Sequence, residues 1–129
     1  MKKVIIKTSI ILTLFSIFGL VFADANKSFG LQPNEISSSG FNYLGRPYPQ
    51  AWVKFVAGSG SSLFVLHKDY GLYKKTMSER TRNVYANVEY NEHYDKLGSG
   101  DYNFLVLNKG SDNIYGQFVF YSSETYENN

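Results

Sequence analysis

The sequence predicts an all-β protein, a single antiparallel β-sandwich of about seven short strands in a jelly-roll-like order. Three observations carry that expectation. Apolar residues recur with period two or in short continuous runs, clusters of Gly, Ser, Asn and Pro separate the runs, and only one stretch has any helical spacing. A small closed β-barrel satisfies the same observations and stays open as the alternative.

Asn26 to Gly40 is polar, with Pro33 and the run Ser37-Ser38-Ser39-Gly40, and within it Phe29 and Leu31 suggest a short edge strand. Phe41 to Leu44 alternates briefly. Pro47 and Pro49 then argue against a central strand, because proline donates nothing to a ladder. Ala51 to Ala57 is rich in Val and aromatics. Gly58-Ser59-Gly60-Ser61 separates it from Leu63-Phe64-Val65-Leu66, the arrangement expected of a hairpin. Tyr70 to Lys75 is a candidate short strand. Lys74 to Asn83 holds the one helical potential, with too few apolar residues at three-and-four spacing to dock. It reads as a loop with at most one helical turn.

Val84, Ala86, Val88 and Tyr90 alternate with Tyr85, Asn87 and Glu89, which predicts one strand whose second set faces outward. Asn91 to Gly100 reads as a polar loop. Tyr102 to Leu107 is apolar apart from Asn103, as expected of a strand at a sheet centre. A turn over Asn108 to Asn113 joins it to Ile114 to Tyr121, the best hairpin candidate in the sequence. Glu124 to Asn129 is a polar tail expected to fray.

Residues 1 to 25 read as a secretory signal peptide and 26 to 129 as the β-sandwich domain. Lys2, Lys3 and Lys7 precede an uncharged apolar run from Thr8 to Phe22, and Ala23-Asp24-Ala25 supplies a small-x-small cleavage pattern, with Val21-Phe22-Ala23 as a second option. A membrane anchor is the competing reading, but it needs about 20 apolar residues. The expected protein is therefore exported, secreted or held at a cell surface, with no stable membrane span after cleavage.

Cutting the leader also changes the electrostatics. The chain has 13 basic and 11 acidic residues, and the leader takes three lysines and Asp24, leaving ten of each. A neutral domain lacks the basic surplus that nucleic acid demands, so no nucleic-acid partner is expected. The chain has no cysteine, which excludes thiol chemistry and disulfide staples and suggests a bacterial cell surface. Stability must come from packing alone, or from a metal or a partner, and for packing eleven Tyr, seven Phe and Trp52 are available outside the leader.

Catalytic signals are sparse, and the sequence predicts no enzyme. His67 lies close to Asp69, but no serine sits in a Gly-x-Ser-x-Gly elbow. Glu92, His93, Asp95 and Asp101 are the densest group of potential metal ligands. Their carboxylates suit Ca²⁺, but the spacing matches no specific loop, so no cofactor is expected.

The aromatics say more. Alternation along Ile114 to Tyr121 turns Ile114, Phe118 and Phe120 inward and Tyr115, Gln117 and Tyr121 outward. Tyr85, Asn87 and Trp52 complete a candidate binding set. Rings cover sugar C–H faces while amides hydrogen-bond hydroxyls, and the same residues serve protein partners. Cross-strand tyrosines that merely stabilise a sheet surface are the bland explanation.

The run Gly98-Ser99-Gly100-Asp101-Tyr102-Asn103-Phe104-Leu105-Val106-Leu107-Asn108 resembles a late segment of small secreted bacterial β-sandwiches, the pre-peptidase C-terminal type and its jelly-roll relatives. The likeness spans Leu97 to Tyr121 and implies a fold, with no functional residues attached. Taken together, the sequence leads to an exported, non-enzymatic domain that binds a cell-surface glycan, envelope component or protein. A secreted bacteriocin-like antibacterial protein, similar in its Gly, Tyr and Asn content, is the alternative.

Overall fold

A computed structural model describes residues 25–126. The leader and its cleavage pattern fall outside them except for Ala25, as do the last three residues of the tail. Nine strands and no helix occur among the described residues: β1 (Ala25–Leu31), β2 (Ile36–Ser38), β3 (Asn42–Leu44), β4 (Tyr48–Ala57), β5 (Gly60–Asp69), β6 (Lys74–Val84), β7 (Glu89–His93), β8 (Gly100–Asn108) and β9 (Ile114–Ser123). They form two antiparallel sheets. The first has the order β1-β9-β4-β7 and the second β2-β8-β5-β6, with β3 also on β8. If β2 and β3 count as one interrupted strand position, this is the eight-position order of a jelly roll. The predicted sandwich is present, and neither sheet closes into a barrel.

Between the sheets lies an aromatic core. Phe64 stacks on Phe55 at 6.1 Å and meets Phe104 edge-on at 5.8 Å, and Phe104 in turn packs on Phe118 and Phe120. These residues come from both sheets at alternate strand positions, as period two requires. Phe29 and Leu31 of the edge strand β1 complete the core at one side.

Two expected hairpins are absent. β4 and β9 belong to the first sheet, β5 and β8 to the second, so the Gly58–Ser61 and Asn108–Asn113 segments carry the chain across the sandwich. The two crossings lie against each other. Gly58 has φ +110, and a Cβ there would sit 2.6 Å from the Asn113 carbonyl oxygen and 2.9 Å from Ile114 Cα. Small residues are needed for that close approach, and the same small residues imitate a hairpin loop. Asn108 ties the region together, its Nδ2 donating to the Leu31 and Asp112 carbonyls while its Oδ1 accepts from the Gly110 N–H.

Lys74 to Asn83 is not a loop with a helical turn. It forms most of β6, paired along its length with β5 in the one hairpin between long strands. Register places Ser78, Arg80 and Arg82 opposite the inward-facing Leu66, Phe64 and Ser62. The inner face of this edge strand is thus polar, which erased the apolar alternation. Both arginines meet Glu92 of β7, closing the open side between the sheets. Tyr70 to Tyr73 is the turn of that hairpin.

Two smaller expectations also change. The predicted strand from Val84 to Tyr90 is broken, because Asn87 has φ +67 in a turn that moves the chain from β6 to β7. β4, flanked by β9 and β7, contains Pro49, yet β7 pairs only from Gln50 onward. Proline is tolerated at that free end.

Candidate functional site

Period-two geometry determines which side chains leave the core. Ala51, Val53 and Phe55 of β4 and Phe118 and Phe120 of β9 point inward. The register pairs Trp52 with Val119, Gln50 with Tyr121 and Lys54 with Gln117, all on the outer surface of the first sheet. Tyr115 lies further along β9, opposite Ala57 past the bulge. Tyr115, Gln117 and Tyr121 therefore share one face, as alternation along β9 predicts, and Trp52 of β4 lies on it too. Tyr115 is 45% exposed, Trp52 and Tyr121 are half-buried, and Gln117 is buried.

Tyr85 and Asn87 do not share this face. They occupy the β6–β7 turn, where the Val88 N–H donates to the Tyr85 carbonyl and the Asn87 N–H donates to the Phe55 carbonyl at 2.8 Å. They lie at the end of the sandwich by Phe55. Glu89, grouped with them by alternation, is on the face and accepts a 2.9 Å hydrogen bond from Trp52 Nε1–H.

β7 widens the surface. Its pairing with β4 sets His93 beside Gln50, Asn91 beside Trp52 and Glu89 beside Lys54. Gln50 is buried, and its Oε1 accepts a 2.9 Å hydrogen bond from the Tyr121 hydroxyl. Among the described residues, its Nε2 is buried without a hydrogen-bond partner, and so are both ring nitrogens of His93. Tyr126 closes over this corner, its ring 5.8 Å from His93 and 6.1 Å from Tyr48. A buried polar group left unpaired costs about 1–3 kcal/mol. Unpaired atoms on two adjacent residues set this corner apart from an ordinary sheet surface.

Gln50 and His93 were not among the expected binding residues. The signal was available, since Gln50 precedes Trp52 by two residues and His93 follows Asn91 by two. The face offers ring surfaces for apolar C–H groups, the three amides of Gln50, Asn91 and Gln117, and an imidazole with capacity to donate and accept.

The four candidate metal ligands are not brought together. Glu92 points inward to Arg80 and Arg82, and His93, next in β7, is on the outer surface. Asp95 is in the loop after β7, and Asp101 pairs with Tyr43 in the second sheet. Among the described residues, no three His, Asp or Glu side chains form a group able to hold a metal ion. His67 lies opposite Asn103 on the second sheet, and the nearby Asp69 carboxylate accepts from the Gly71 N–H at 2.8 Å.

No family model matches the chain, and no curated protein does. Among solved structures it is similar to a crystal structure of PirA, with a TM-score of 0.58 and 10% identity over 78% of this chain and 96% of that one. The likeness is one of fold.

Proposed function

We propose that this chain is an exported, non-enzymatic binding domain whose ligand is a cell-surface glycan, held on the outer surface of the β1-β9-β4-β7 sheet. The observation that carries the reading is the corner where Trp52 and Tyr121 flank Gln50 and His93. The rings supply flat apolar surface, and the Gln50 Nε2 and the His93 ring nitrogens supply hydrogen-bonding capacity that no other described residue uses. Sugar rings match both, with C–H faces for the aromatics and hydroxyls for the polar atoms. A purely structural sheet surface would pair or expose those atoms.

Retention on intact cells, before and after enzymatic removal of surface polysaccharide, tests the reading. Binding that disappears with the polysaccharide supports it. Binding that disappears only on protease treatment points to a protein ligand instead.

A bacteriocin-like role is favoured by one other observation, the completely exposed Leu72 at a hairpin apex, for which a glycan-binding face has no use. Growth inhibition of related strains by the purified protein would support that role, and its absence would count against it.

A further inference from the structure

Away from the candidate binding face, one end of the sandwich carries a concentration of exposed apolar side chains. The β5–β6 hairpin turns over Tyr70-Gly71-Leu72-Tyr73, and Leu72 at its apex is 100% exposed. Tyr70 and Tyr73 stack beneath it with ring centroids 5.2 Å apart, both exposed. Phe41, also exposed, lies under Lys74, whose Nζ is 5.5 Å from the ring centroid. Tyr43 of β3, 63% exposed, pairs with Asp101, which in turn pairs with Asp69 at the foot of the hairpin. Five of the large exposed apolar side chains thus gather at one pole.

The turn holding them is built rather than loose. Asp69 Oδ1 accepts from the Gly71 N–H, and the Tyr70 N–H donates to the Tyr73 carbonyl at 2.9 Å. Lys68 sits over the Tyr70 and Tyr102 rings and donates to the Leu97 carbonyl, fastening the hairpin base to the neighbouring loop. A rigid apex keeps Leu72 in water, where it has no structural use.

We propose that this pole docks on the surface of an anionic phospholipid bilayer. The order of groups along the hairpin matches the layers of a membrane interface. Leu72 is foremost, for the acyl boundary, and the amphipathic Tyr70 and Tyr73 rings follow at headgroup depth. Lys74 and Lys75 come next, both exposed and without an ion pair among the described residues, at the level of the lipid phosphates. The domain is near neutral overall, so the attraction is local to these lysines and falls away within a screening length. Asp69 and Asp101 oppose it, but Asp69 is engaged with the turn backbone. The tip touches the bilayer without crossing it, and no helix among the described residues is long and apolar enough to cross a membrane.

Sedimentation of the protein, in the form its cells release, with vesicles of equal parts phosphatidylglycerol and phosphatidylcholine tests the proposal. Wild type is expected to bind, with far weaker binding to phosphatidylcholine alone and at about 0.5 M salt. Leu72→Ser is expected to weaken binding about tenfold, by loss of one inserted aliphatic group. The Lys74→Gln, Lys75→Gln pair is expected to lose roughly thirtyfold, while Lys109→Gln, exposed at the other end of β8, binds as wild type does. Leu72 is fully exposed, so its replacement leaves folding intact, which an unchanged thermal melt verifies. Absence of vesicle binding, equal binding to neutral vesicles, or indifference to Leu72→Ser would each overturn the proposal. So would Leu72-dependent attachment to cells without any to vesicles, which would put a protein partner under the tip.

Discussion

Arg82 grips Glu92 through two hydrogen bonds, Nε to Oε2 at 2.9 Å and Nη2 to Oε1 at 2.8 Å, across the gap between the sheets. Arg80 adds a bond to the same carboxylate at 3.0 Å and a second to the His93 carbonyl at 2.8 Å. Its guanidinium lies 4.4 Å over the Tyr94 ring, and Arg82 stands over Tyr90. Hydrogen bonding to Glu92 raises the Arg82 pKa further above its ordinary value. Glu92 is the middle of a clamp joining β6 to β7, and it holds the strand that carries His93 and Asn91 to the outer surface of the first sheet.

Removing Glu92 leaves two partly buried cations without their partner. Glu92→Ala is expected to cost about 3 kcal/mol, the lower end for a buried pair because both guanidinium groups keep some water. Glu92→Gln keeps the acceptor oxygen and is expected to cost less. Urea denaturation measures both, and a loss below about 0.5 kcal/mol for the alanine variant would show the clamp to be dispensable.

Tyr94 lies under Arg80 with its hydroxyl buried and without a hydrogen-bond partner among the described residues. Burial pushes its pKa far above the ordinary tyrosine value, and Tyr90 and Tyr102 are raised too, burial being the largest cause for each. Below about pH 10 the hydroxyls are protonated in both folded and unfolded chains. Above it the unfolded chain releases protons that the folded chain retains, so stability falls as pH rises through that value. Thermal melts from neutral to alkaline pH are expected to show the fall, with Tyr94→Phe showing less of it. At neutral pH Tyr94→Phe is expected to match or slightly exceed wild type, since the lost hydroxyl had no partner.

Gly58→Ala tests the packing of the two crossings. The new methyl would meet the Asn113 carbonyl and Ile114 in a backbone conformation that favours glycine. A loss of about 2 kcal/mol or more is expected on denaturation. Gly40→Ala, also at positive φ but with nothing within 4 Å, is expected to cost about 1 kcal/mol from backbone strain alone.

Most strands were legible in the sequence, whereas their partners were not. Alternation along β9 placed Phe118 and Phe120 inside and Tyr115 and Tyr121 outside without any tertiary information. Which sheet a strand joins depends on contacts remote in sequence, and six of the eight connections change sheets. Gly58-Ser59-Gly60-Ser61 has a hairpin's composition because close backbone packing and tight turning both select small residues. β6 was lost for a different reason. Arg80 and Arg82 occupy inward positions at an edge, and the Glu92 carboxylate, the His93 carbonyl and the Tyr90 and Tyr94 rings of the next segment make that tolerable.

The proposed binding face was half visible. Trp52, Tyr115, Gln117 and Tyr121 follow from period two once β4 and β9 are adjacent. Tyr85 and Asn87 were misplaced because apolar alternation ran unbroken through a turn that only the positive φ of Asn87 reveals. Gln50 follows Pro49, which masks its strand position, and His93 lies in sequence among acidic residues that the fold scatters.

A glycan array probed in parallel with wild type, a Trp52→Ala, Tyr121→Ala variant and a Gln50→Leu variant tests the binding face most directly. Wild type is expected to retain a defined set of sugars. The aromatic pair is expected to abolish that retention, and Gln50→Leu to weaken it about tenfold or more, the loss of one desolvated hydrogen bond to the ligand. Retention of nothing by wild type, or of the same sugars by all three proteins, would contradict glycan recognition on this sheet.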